Sequence, residues 1–261
     1  DTRSGNRHAA LMVAGGPVTS LVLGAALLLL ARQLGGAGSG AGSGATGSFG
    51  QLLTLALVTA AGVMSLGVGL ITLVPMRTSG FLTDGARLLR LVQGGGTAAR
   101  DRAMMTLVGL AASPTRPRDW PTSLVRDLDA VQDGTPLDAA GPLLAYLHAL
   151  DLGEHEAAHA SLVRLVQRLD VLPPTARGSY ATELAFHELV VRGDRVRARA
   201  WLELVKDSPF DDRLLRPILA ALVEAPEGDD GARARVEPLV AELAARSGVD
   251  RMRAELLRRA E

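Results

Sequence analysis

Two long stretches of this chain carry no charge. Ala9 to Ala31 reads AALMVAGGPVTSLVLGAALLLLA, and Phe49 to Met76 reads FGQLLTLALVTAAGVMSLGVGLITLVPM. A helix needs roughly 20 mainly apolar residues to cross about 30 Å of hydrocarbon. Both runs meet that length, and a soluble core helix would normally show a charged face. They predict two spanning helices, over about residues 9–31 and 49–76. A signal peptide would have a shorter apolar stretch than the first run.

Beyond Gly96 the pattern changes. Ala103–Ser113 is apolar but too short to span, and Ser113–Pro121 is punctuated by proline. From Leu124 onward, amphipathic helical periods alternate with Gly, Pro and Asp breaks, with no strand-like alternation. The expected fold class is all-α: two transmembrane helices, then a cytoplasmic α-helical hairpin-repeat domain of solenoid-like form. The expected divisions are a membrane domain over 1–96, a linker over 97–123 and a helical-repeat domain over 124–261. The membrane domain includes a Gly/Ser connector at 35–48 and a motif loop at 77–85.

The connector contains G-x-G-x-x-G at Gly42, Gly44 and Gly47. Without a preceding strand this reads as flexible coil rather than a nucleotide loop. Basic residues flank the pair of spans at Arg3, Arg7, Arg77, Arg87 and Arg90, while the connector has none beyond Arg32. The positive-inside rule then places both ends of the pair in the cytoplasm.

The soluble part repeats. Ala145–Val166 aligns with Ala185–Lys206 at an offset of 40 residues, pairing Gly153 with Gly193, Glu154 with Asp194 and Ala158 with Ala198. Each unit reads as helix, Gly-acid turn, helix, in which Gly ends one helix and the acid caps the next. A third unit is expected over Pro217–Arg246, breaking near Gly228–Asp229. The spacing and small alanines resemble tetratricopeptide repeats, whose concave groove implies a protein partner.

Composition removes some chemistries. The 261 residues hold 28 basic and 28 acidic side chains and no cysteine. Thiolate metal sites and cysteine nucleophiles are excluded. A charge-led nucleic-acid binder is not expected.

The motif HEAAH, His155-Glu156-Ala157-Ala158-His159, matches the zinc-protease signature HExxH. In the repeat alignment His155 pairs with Arg195 and His159 with Arg199. Arginine does not ligate zinc. His155, Glu156 and His159 are therefore read as the polar margin of a hairpin helix and not as a site. A soluble HEAAH metalloenzyme is the minor alternative.

Two other segments carry more. Gly16-Pro17-Val18-Thr19-Ser20 lies inside the first span. Thr72-Leu73-Val74-Pro75 ends the second, followed by Asp84-Gly85. Together they resemble the site-2 protease family of intramembrane zinc metalloproteases. In that family HExxH precedes a G-P-x-x-N-like segment, and N-x-x-P precedes a D-G pair whose aspartate binds zinc. Ser20 and Thr72 stand where the family has asparagine, and no HExxH precedes Gly16. The resemblance implies Asp84 as a metal ligand, with Gly16, Pro17, Ser20, Thr72, Pro75 and Gly85 in support. No catalytic residue is expected within this chain. It further implies a zinc cofactor, a protein or peptide substrate, a lipid bilayer environment and a bacterial cytoplasmic membrane location. The chain is then expected to be the C-terminal part of such an enzyme, with its HExxH helix upstream of Asp1, or a non-catalytic membrane-anchored scaffold. On residues alone, Thr83-Asp84 also reads as an ordinary helix cap.

Overall fold

The computed structural model describes residues 2–37, 49–78, 81–205, 212–226 and 228–259. Most of the expected connector, with Gly42, Gly44 and Gly47, lies outside them. The protein is all-α, and it divides into two compact units, Asp1–Ala98 and Ala99–Glu261.

The first unit is built on α1 (Thr2–Ala37) and α2 (Phe49–Leu73). Within them, Ala9–Gly36 and Phe49–Leu73 are long and apolar enough to cross a membrane. Only 17% and 11% of these stretches are buried, unlike the core helices of a soluble protein. The two helices run antiparallel along a seam of small residues. A β-carbon on Gly24 would lie 2.7 Å from the Leu66 side chain and 2.9 Å from the Gly62 carbonyl. One on Gly69 would lie 3.2 Å from the Pro17 carbonyl. Pro17, Gly24 and Ala31 are the buried positions along this part of α1, seven residues apart. Apolar attraction between helices is weak in lipid, so close backbone approach over small residues is what holds such a pair. Pro17 lies within the continuous helix. Its missing amide is tolerated because neighbouring groups can satisfy the freed carbonyl.

After α2 the chain makes a feature the sequence pattern did not predict. β1 (Arg77–Thr78) pairs antiparallel with β2 (Phe81–Leu82). The hairpin returns the chain to the end of α2, where α3 (Asp84–Gln93) starts and packs against α1 and α2.

α4 (Gly95–Ala111) leads into the second unit, followed by α5 (Thr122–Asp129). Three hairpins follow: α6 (Leu137–Leu152) with α7 (His155–Val166), α8 (Pro174–Phe186) with α9 (Arg195–Glu203), and α10 (Leu215–Glu224) with α11 (Asp230–Ala244). α12 (Gly248–Arg259) comes last. The turn glycines Gly153, Gly193 and Gly228 all take the left-handed conformation, at φ 77°, 67° and 72°. Asp194 and Asp229 cap the helices that follow them, accepting from the amides of Arg197 and Ala232. Glu154, one methylene longer, makes no such cap.

One hydrophobic core runs through the unit, from Leu107 and Tyr146 through Phe186 and Leu219 to Met252. The Arg116 guanidinium holds Asp151 of α6 at 2.5 Å and Glu255 of α12 at 2.7 Å. Arg253 of α12 pairs with Glu183 of α8. The last helix is thus tied back to the first hairpin.

Candidate functional site

The resemblance motifs meet at one end of the α1–α2 pair. Thr83 organises the spot. Its hydroxyl donates to the Val74 carbonyl at 2.7 Å and accepts from the Met76 amide at 3.1 Å. It also accepts from the Ala86 amide, capping α3. Gly85 is buried, and a β-carbon there would fall 1.8 Å from the Leu73 carbonyl oxygen. The start of α3 is therefore pressed onto the end of α2. This brings Asp84 to α1: its Oδ2 lies 3.9 Å from where a Gly16 β-carbon would stand.

Gly16 and Asp84, 68 positions apart in sequence, thus share one small site. Pro17 is buried beside it, and Pro75 lies in the exposed turn between α2 and β1. Ser20 is half-buried on α1, one turn past Gly16. Thr72 turns its hydroxyl back to the Gly69 carbonyl at 3.1 Å, within its own helix. Asp84 supplies one carboxylate at this spot. Among the described residues, no three His, Asp or Glu side chains gather closely enough to hold a metal ion. The described residues therefore fit one ligand of a zinc site and do not complete it.

The HEAAH segment forms the first turns of α7. His155 and Glu156 are exposed, and His159 is half-buried. His159 is less solvated than a polar margin would be, because its ring stacks on His187, with centroids 5.8 Å apart and planes at 21°. His187 is 2% exposed, and Tyr146 meets it edge-on at 5.6 Å. His187 begins a single π-helical turn, His187–Val191. Neither of its ring nitrogens has a hydrogen-bond partner among the described residues. Burial, then the neighbouring His159, Arg192 and His155, pull the His187 imidazole down to about 4. In the sequence His187, like His148, lies near HEAAH as a conceivable further ligand, and its burial arises only where two hairpins pack.

The repeat explains the matching positions. Arg195 on α9 donates to the carbonyls of Leu222 and Ala225, and Arg199 to that of Val223. Both arginines therefore serve the carbonyl end of α10 in the next hairpin, as His159 on α7 meets His187 in its next hairpin. These are inter-hairpin contact positions filled by different side chains.

Fold and site together define a class: an all-α protein with two membrane-length helices and a helical-hairpin unit. Comparison with protein-family models, curated proteins and solved structures gives no match.

Proposed function

We propose that this chain is part of a membrane-embedded metalloprotease resembling the site-2 proteases. Asp84 is its carboxylate metal ligand, and Gly16, Pro17, Ser20, Thr72, Pro75 and Gly85 shape the surrounding backbone. The observation that carries this reading is the approach of Asp84 to Gly16 at the end of two apolar helices. A carboxylate beside a long uncharged pair needs water, a partner or a metal. In this reading Asp84 would be one of several protein ligands to the zinc. A metal held there would supply Lewis-acid chemistry for peptide hydrolysis. The substrate is a protein or peptide at the bilayer, the membrane is the bacterial cytoplasmic one, and the hairpin unit is cytoplasmic and offers a surface to a protein partner.

The helical-hairpin unit that follows the two apolar helices supports a second reading, a non-catalytic membrane-anchored helical-repeat scaffold. Zinc content separates the two. Protein expressed from its intact gene and purified from membranes should carry about one zinc per chain, lost in Asp84→Asn. Zinc-free wild-type protein would leave only the scaffold reading.

A further inference from the structure

We propose that α3 is an interfacial anchor, resting Leu89 and Val92 on the surface of the bilayer that α1 and α2 cross. The inference rests on the reading of those helices as spans. At about 100° per residue, the apolar arc of α3 runs through Leu88, Val92, Gly85 and Leu89, with Leu91 and Asp84 at its protein-facing edge. The protein covers only part of that arc. Leu91 is 2% exposed and Gly85 is buried, while Val92 is 80% and Leu89 45% exposed. Arg87 and Arg90 lie on the opposite arc.

The depth of this open face follows from two contacts. The 25 residues of α2 reach about 37 Å at about 1.5 Å per residue, more than the roughly 30 Å of a hydrocarbon core. Its last residue, Leu73, therefore reaches headgroup depth. Gly85 is locked against Leu73, so α3 starts at that same depth. The exposed apolar residues Val68, Leu70, Ile71 and Val74 lead along α2 to this point. Amphipathic helices lie at this level with their apolar side chains in the headgroup–acyl boundary. The anchor would hold Asp84, the first residue of α3, at the edge of the bilayer.

The chain contains no cysteine, so single cysteines can be labelled uniquely. Full-length Val92→Cys, Val68→Cys and Val196→Cys carry a fluorophore at α3, at α2 and at an exposed position of α9. All three parent side chains are at least half exposed, so the fold should tolerate the changes. The proteins are reconstituted into phosphatidylcholine–phosphatidylglycerol vesicles. They are then quenched with iodide, with a headgroup nitroxide lipid and with a nitroxide in the upper half of the acyl chain. The Val92→Cys label should be quenched by the headgroup nitroxide about twofold or more beyond Val196→Cys, with Val68→Cys answering to the deeper nitroxide. If Val68→Cys answers to lipid but Val92→Cys is as open to iodide as Val196→Cys, α3 is not an anchor although the helices span. Shielding of Val92→Cys from both iodide and lipid would mean a protein occupant and would equally overturn the proposal. If Val68→Cys ignores the lipid quenchers, the spanning reading fails, and the anchor with it.

Discussion

Gly85 stands against Leu73 so closely that a β-carbon would fall 1.8 Å from the Leu73 carbonyl oxygen and 2.4 Å from its carbon. Both obstructing atoms are backbone, so no rotamer change relieves the clash. Gly85→Ala should push α3 off the end of α2 and destabilise the first unit by about 1–3 kcal/mol, the usual cost of overpacking. Denaturant unfolding in detergent micelles measures this. The mutation should also weaken zinc retention if Asp84 is a ligand, because Asp84 moves with α3.

His187 gives the second unit an acid-sensitive point. Its folded value of about 4 lies below the ordinary 6.5. The unfolded chain therefore takes up a proton that the folded chain refuses. Stability should be full above about pH 6.5 and fall as pH drops toward about 4, by at most about 3 kcal/mol. Unfolding midpoints recorded across this range should show the slope in wild type. His187→Phe should flatten it. An equal slope in both proteins would assign the effect to other groups.

Arg100 is fully buried and holds Asp133 at 2.9 Å and Asp138 at 2.5 Å. Arg100→Met leaves Asp138 as a buried carboxylate without its counter-charge, at a cost of about 3–5 kcal/mol. Adding Asp138→Asn should recover part of that loss. Thermal unfolding of the single and double variants would reveal the coupling.

Arg195 closes the carbonyl end of α10 through Leu222 and Ala225. Arg195→Ala should cost about 1–2 kcal/mol by leaving those groups without their charged donor. Arg195→Lys should restore only part, since a single ammonium lacks the two-pronged geometry. Amide exchange at the end of α10 should rise in both variants.

Much of the fold was legible along the chain because its signals are local. An uncharged run longer than a bilayer is thick identifies a span without reference to any neighbour. A glycine followed by an acid, repeated at 40 residues, marks the hairpin turns, since the left-handed conformation and the cap are properties of a few adjacent residues. The β1–β2 pair was not legible: two residues a strand are too few to set up an alternation.

The candidate site was legible only in part. Asp84 and Gly16 could be singled out one by one, but their approach depends on Thr83 binding Val74 and Met76 and on the missing side chain of Gly85. HEAAH shows the reverse. The sequence offered a conspicuous motif, and packing made its second histidine a stacking partner of His187.

The sequence by itself determined the helical class, the two membrane-length runs and the repeated hairpin turns, because hydrophobic period and turn chemistry act over a few neighbouring residues. The tertiary structure alone decided that Asp84 meets α1, that His187 is buried and that Arg116 ties the last helix to the first hairpin. Those outcomes depend on contacts between residues 28 to 139 positions apart, from His159–His187 to Arg116–Glu255, and no local pattern encodes the closing of such distances.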